Sequence, residues 1–392
     1  MKMDLNNIKE LTSEYLFQNY GRMDIAFAYG KGVYLYSTDG KEYLDTVAGI
    51  AVNAIGYAHP VWVKAMQEQI SKLIHVSNLY NVGEQAELGE KVASVAPGDL
   101  KRSLFVNSGA EANEGAMKLA VRYTKRSKII SASNGFHGRT SASLGATGQT
   151  KYQDSFEPLI SNAFSYYEYG NLESVKKMIN KDTAALLVEP IQGEGGVVGA
   201  STEFFKGVRD ICSDNGTLMI VDEVQTGIGR TGKWFGIDNH GVVPDIMTLA
   251  KGLGGGVPIG AVVSTDEISK VMTPGTHGTT FGGNPLVSRS ACTVLDIIKS
   301  ERLVENAHNV GKKWMAELKA VDSDKIKDVR GSGFIIGVEL ESNETASSIQ
   351  KSMLKKGILV NICHGCVLRL IPPLILTSEQ KDIFMSAFKE II

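Results

Sequence analysis

The stretch Leu218-Met-Ile-Val-Asp-Glu-Val-Gln-Thr-Gly227 reads LMIVDEVQTG. Four apolar residues run without a polar break into Asp222. A strand that is apolar along its whole length is buried on both faces, as in a parallel sheet covered by helices. Such a strand takes the Asp222 carboxylate into the protein with it. That burial costs several kcal/mol unless a positive group meets the charge. No Lys or Arg is adjacent in sequence, so the stretch predicts a sheet and also a site.

The same pattern recurs on either side. SLFVN (103–107), KIISAS (128–133), AALLVEP (184–190), TLMIVDE (217–223), DIMTLAK (245–251) and GAVVS (260–264) are compact strand candidates. Helical stretches lie between them, among them GAEANEGAMKLAVRYTK after the first strand and STEFFKGVRDICSDNG (201–216). The alternation predicts an α/β fold with a central, mostly parallel sheet. The ends of the chain read differently. Residues 29–46, YGKGVYLYSTDGKEYLDT, alternate and carry a DG turn, which predicts a small antiparallel hairpin. Beyond about residue 286 come a long amphipathic segment (288–321) and then GFIIGVEL and HGCVLRLIPPLIL. The expected division is an N-terminal segment, 1–52, joining a small domain; a large α/β domain, 53–286; and a C-terminal α+β part, 287–392.

Composition narrows the partners. At 392 residues the chain can hold a large domain with a smaller companion. A net charge of −2 argues against nucleic acid or an acidic membrane as the main partner. No window approaches the ~18 apolar residues of a membrane span. The polar start, MKMDLNNIKELTSEY, has no apolar core for a signal peptide. Four cysteines do not make a disulfide framework in so long a chain. A cytoplasmic protein is expected.

In an open parallel sheet, ligands bind at the carboxyl ends of the strands. Asp222 stands at such an end, and so do other chemically suggestive residues. Asn107-Ser-Gly-Ala-Glu-Ala-Asn113 opens a helix after a strand. Its free N–H groups and dipole suit a phosphate, and Gly109 would let the backbone come close, although a Ser-Gly start also serves as a plain cap. Lys251 ends an apolar strand and precedes Gly-Leu-Gly-Gly-Gly. It is either a solvated strand-end lysine or an amine nucleophile in a closed site, able to form a Schiff base. Arg139 and Arg369 are flanked by apolar or aromatic residues, as a carboxylate clamp requires and a surface arginine does not. Phosphate, amine nucleophile and buried acid together match pyridoxal 5′-phosphate. Its ring nitrogen is the cation that Asp222 would meet.

With these residues in place, the chain resembles the class-III, fold-type-I pyridoxal-phosphate aminotransferases along nearly its whole length. The likeness is carried in order by GIAVNAIGYAHP (49–60), HVSNLYNVGEQAELGEKV (75–92), NSGAEANEGAMK (107–118), GFHGRT (135–140) and EPIQGEGG (189–196). It continues through DEVQTGIGRTG (222–232), LAKGLGGGVPIGA (249–261), HGTTFGGNP (277–285) and RLIPPL (369–374). The resemblance implies that Lys251 binds the cofactor aldehyde, that Asp222 pairs with the ring nitrogen, and that Ser108, Gly109 and Ala110 hold the phosphate, the last two through backbone N–H groups. Phe136 and Val224 would cover the two ring faces, and Gln225 would reach the ring hydroxyl. Thr280 would complete the phosphate cradle of a neighbouring copy, so a homodimer is implied. Arg139 would clamp the donor carboxylate and Arg369 the α-carboxylate of 2-oxoglutarate, with Glu194 neutralising Arg369 while the donor is bound.

The donor implied by the resemblance is N-acetylornithine, handled in a ping-pong cycle with 2-oxoglutarate. Relatives of the family also act on ornithine, succinylornithine or 4-aminobutyrate. Ornithine δ-aminotransferases carry a tyrosine where this chain has Ile50, which favours an acylated donor. An aminomutase or decarboxylase of the same fold is a further alternative, against which the Arg139, Arg369 and Glu194 set speaks. Cys363-His-Gly-Cys366 has the spacing of a redox pair or half a zinc site, but Cys212 and Cys292 stand alone and complete no second pair. No metal is expected. His137, beside Phe136, reads as a packing or supporting residue before a general base, and His277 reads the same way.

Overall fold

The computed structural model describes residues 3–392. Its centre is a seven-stranded sheet made of β1 (Arg102–Val106), β2 (Lys128–Ala132), β3 (Phe164–Tyr167), β4 (Thr183–Val188), β5 (Leu218–Asp222), β6 (Ile246–Leu249) and β7 (Gly260–Ser264). The spatial order is β1-β7-β6-β5-β4-β2-β3. Every residue of β4, β5, β6 and β7 is buried, which is why these strands read as unbroken apolar runs. The mostly parallel sheet expected from the sequence is present. β7 alone runs against both of its neighbours.

Helices cover the sheet and are stopped by local chemistry. Gly109–Thr124 starts at Ser108, whose hydroxyl accepts the Glu111 N–H, and stops at Lys125 in a left-handed conformation. Thr202–Asn215 is capped by Ser201 and ended by Gly216 at φ 60°, where glycine carries no Cβ penalty.

The structure adds to the sequence reading at three places. The stretch Phe164–Tyr167 was not expected as a strand, yet it forms the edge strand β3. Phe164, Ser165 and Tyr166 are only half-buried, and an edge strand needs no continuous apolar run. The hairpin over 29–46 is a three-stranded meander, Phe27–Lys31, Tyr34–Ser37 and Glu42–Asp45, with Asp39-Gly40 in its second turn. A strand from the far end of the chain, Ile358–Leu359, lies parallel to Glu42–Asp45, so both ends of the chain meet in one sheet. The long amphipathic segment is two helices, Pro285–Ser300 and Leu303–Lys319, broken where Arg302 adopts φ 55°.

A further antiparallel sheet runs Ile326–Ser332, Ile335–Leu340, Val367–Leu370, Asn361–Cys363. It places Asn361 opposite Arg369 on neighbouring strands. Among the described residues no helix is long and apolar enough to cross a membrane.

Candidate active site

The carboxyl edge of the parallel strands gathers the predicted residues around a cavity of about 420 Å³. Asp222 ends β5 and is 4 % exposed. Its Oδ1 accepts the Val224 N–H at 2.9 Å, while Oδ2 accepts from Asn113 Nδ2 and from His137 Nδ1, both at 2.8 Å. Asn113 is itself fixed by the Thr248 hydroxyl, at 2.8 Å on Oδ1. The protein thus supplies a partner to the buried carboxylate, and it is an imidazole. Burial pulls the His137 pKa down, but the Asp222 hydrogen bond and charge, with Glu189, more than offset it and leave the group raised.

Ser108, Gly109 and Ala110 line one end of the cavity. Ser108 does cap its helix, and the first-turn N–H groups of Gly109 and Ala110 have no intrahelical acceptor. A Cβ on Gly109 would come within 2.7 Å of Val224 Cγ1, so this close approach requires glycine. Phe136, Arg139, Val224, Gln225 and Lys251 line the same cavity.

Lys251 lies just past the end of its strand. β6 stops at Leu249, and Lys251 opens a single 3₁₀ turn at φ 43°. Burial holds its amine below the ordinary lysine range. Glu194, Asp222 and Glu189 oppose that shift and Arg369 adds to it. An amine so held is nearer to neutral, which a nucleophile or proton carrier needs.

Arg369 sits deeper. It is 1 % exposed, and its Nη1 donates to Glu194 Oε1 at 2.6 Å and to Gln225 Oε1 at 3.1 Å. Asn361 Oδ1 takes its Nε and Nη2 at 3.1 and 2.7 Å. Gln225 therefore joins the arginine to the cavity wall. Burial pushes the Glu194 carboxyl up, yet the charge and hydrogen bond of Arg369 outweigh it and leave the pKa lowered. Arg139 is exposed, with its guanidinium 4.1 Å from the centre of the Tyr152 ring and 5.5 Å from that of Phe136.

Two predicted positions lie elsewhere. Thr280 is exposed and outside the cavity of its own chain. Ile50 belongs to a left-handed turn, with φ of 52°, 62°, 64° and 62° over Ala48–Ala51, and lines a separate apolar cavity. Asp45 holds that turn by accepting the N–H groups of Val47 and Ala48 at 2.8 and 3.0 Å. Cys363 and Cys366 flank a hairpin turn as free thiols, and burial pushes Cys363 up to about 11. Among the described residues no group of His, Cys, Asp and Glu side chains could hold a metal ion.

Asn113, Glu189 and Asn361 were missed in the sequence. Asn113 left a signal, a polar residue among Ala112, Ala116 and Ala120 on the buried face of its helix.

The family model described as Aminotransferase class-III matches residues 15–392. The chain belongs to the class-III aminotransferases. It is 44% identical to the acetylornithine aminotransferase of Methanocaldococcus jannaschii over 99% of this chain and 98% of that one. It is 45% identical to the same-named enzyme of Aquifex aeolicus, over 96% and 100%. Among solved structures, acetylornithine aminotransferase from Elizabethkingia anophelis superposes at a TM-score of 0.90 with 33% identity, covering 99% of each chain. The ornithine aminotransferase of Toxoplasma gondii superposes at 0.95 with 30% identity, covering 99% of this chain and 95% of that one. Another structure of that Toxoplasma enzyme has PLP at partial occupancy in its active site. This class-III aminotransferase has the mixed α/β architecture of those neighbours.

Proposed function

We propose that the chain moves the side-chain amine of N-acetylornithine to 2-oxoglutarate, with pyridoxal phosphate as cofactor, giving N-acetylglutamate 5-semialdehyde and glutamate. One arrangement carries the reading. A lysine held below its ordinary range, a buried carboxylate and a glycine-opened helix start face one cavity, and a carboxylate-covered arginine is joined to its wall through Gln225. The donor follows from the relatives. Those above 40% identity over nearly the full length carry the acetylornithine name, whereas the ornithine enzymes stand near 30%.

The residues present fit pyridoxal phosphate. Without a Cβ at Gly109, the backbone beside Val224 stays open to a phosphate held by the Gly109 and Ala110 N–H groups. Asp222 would meet the ring nitrogen, Phe136 and Val224 the ring faces, Gln225 the ring hydroxyl and Lys251 the aldehyde. When bound, the group would supply a carbonyl for the donor amine and a ring that takes up the electron pair left by deprotonation.

The chain's own groups do the rest. Arg139, already ordered over Tyr152, takes the donor's carboxylate. Lys251 removes the proton from the amine-bearing carbon and later returns one. Glu194 covers Arg369 while a donor with a single carboxylate is bound. It swings away when the α-carboxylate of 2-oxoglutarate arrives.

The site is completed by a second copy. Thr280 sits beside Phe281, which is 60% exposed, and the chain also presents Leu79 and Tyr80 at 85% and 66%. Apolar groups so exposed support an interface between copies, with Thr280 reaching the partner's phosphate. Sedimentation of the holoenzyme would give a dimer, and a monomer with full activity would refute this part.

A panel of amine donors with 2-oxoglutarate tests the substrate, read as glutamate formed. N-acetylornithine should give the highest kcat/KM. A higher value for free ornithine or 4-aminobutyrate would overturn the assignment.

A further inference from the structure

One carboxylate at the sheet edge has no role in the mechanism above. Val188 of β4 pairs with Val221 of β5 in parallel register, so the next residues, Glu189 and Asp222, bring two carboxylates side by side. Glu189 is 6 % exposed and lines the same cavity as Asp222 and Lys251. Its Oε2 accepts the Phe136 N–H at 3.0 Å, and the Tyr169 hydroxyl holds its backbone carbonyl at 2.9 Å. It therefore grips the residue immediately before His137.

His137 completes the picture. Its Nδ1 serves Asp222, and its Nε2 is buried with no hydrogen-bond partner. A Cβ on Gly135 would stand 3.1 Å from that Nε2 and 3.4 Å from Glu189 Oε2. The unpartnered nitrogen and the second carboxylate thus flank one small space, which the missing side chain leaves open.

We propose that Glu189 is a positioning residue: it fixes the Phe136–His137 loop and, as a second carboxylate beside the imidazole, keeps His137 doubly protonated behind Asp222. The charged groups facing Glu189 are His137 from the loop after β2, Asp222 at the end of β5 and Lys251 after β6. Burial pushes Glu189 up to about 7, with His137 opposing and Asp222 adding to the shift. Glu189 and His137 each act on the other's charge, so the two titrate as a pair. Once ionised, Glu189 favours a cation on His137 and a cation in the cavity alike.

The test begins with the cofactor-free protein, where imidazole C2–H exchange read by mass spectrometry gives the His137 titration midpoint. Glu189→Gln keeps the shape and an oxygen for the Phe136 N–H but removes the charge. It should lower that midpoint by about one pH unit or more. In the loaded protein it should also lower the pH at which the visible absorption of the lysine-bound cofactor fades. That second effect rests on the cofactor reading, whereas the imidazole titration does not. An unchanged His137 midpoint overturns the proposal. Should the variant not fold, the wild-type protein still decides. Its infrared carboxylic-acid band from Glu189, assigned by isotope editing, should disappear as pH rises through about 7. A band that persists well above neutral pH, so that no second carboxylate forms beside the imidazole, overturns the proposal equally.

Discussion

His137 and Asp222 are joined by a 2.8 Å hydrogen bond although 85 residues separate them in sequence. The bond makes the buried carboxylate a double acceptor on one oxygen, since Asn113 Nδ2 reaches the same Oδ2. Its other oxygen is taken by the Val224 N–H. All three donors are fixed by neighbouring structure, so the carboxylate faces the cavity in one orientation.

Asp222→Asn should expose this arrangement. An amide cannot present an oxygen to Val224 and another to Asn113 and His137 at once. One buried donor is left facing an NH₂, a loss of about 1–3 kcal/mol of stability. The variant should fold, melt earlier and still take up cofactor, while single-turnover rates fall steeply because the ring nitrogen has lost its charge partner. Near-normal single-turnover rates would refute the assigned role.

Lys251 should be the residue that carries the cofactor. Borohydride reduction of the holoenzyme followed by peptide mapping should place the label on the peptide containing Lys251. Lys251→Ala should abolish the label and lower kcat by about 100-fold or more, in line with loss of a positioned proton carrier. A label on any other lysine sinks the assignment.

These two residues were legible in the sequence because their surroundings are apolar and continuous. β5 and β6 are buried throughout, so a charged residue at the end of the one or just past the end of the other stands out. The partners of Asp222 were not legible. Asn113 and His137 come from a helix and a loop, each about a hundred residues earlier, and only the folded sheet edge brings them together. Asn361 faces Arg369 through a strand pairing that a sequence pattern does not specify. The break at Arg302 was hidden because neither glycine nor proline marks it. Ile50 lines another cavity from a left-handed turn, a conformation that no local motif announces.

The Glu194–Arg369 pair should leave a mark on acid stability. Arg369 holds the Glu194 carboxyl below the ordinary carboxylate range, against the push of burial. A group lowered in the folded state adds stability above its unfolded pKa and loses it as pH falls through the folded value. Glu194→Gln should therefore be less stable than wild type near neutrality, and the gap should close in acid. Urea midpoints measured across that range decide the matter. A gap that is constant with pH would mean that Glu194 contributes by packing and hydrogen bonding alone.

The last expectation concerns the pair as a switch. A donor with one carboxylate and an acceptor with two must use the same cavity. An uncovered Arg369 would be a buried, unpaired charge while the donor is bound, at a cost of several kcal/mol. Glu194 covers it at 2.6 Å, and Asn361 and Gln225 hold the guanidinium from other sides. Those two contacts survive in Glu194→Ala, so the arginine should stay in place and simply remain open. The half-reaction with glutamate or 2-oxoglutarate should then proceed at least as fast as before. The half-reaction with N-acetylornithine should slow, because nothing neutralises the arginine while that donor is bound. Stopped-flow rates for the two half-reactions, taken separately, test this. An equal fall in both would reduce Glu194 to a structural residue, and the switch would have to be abandoned.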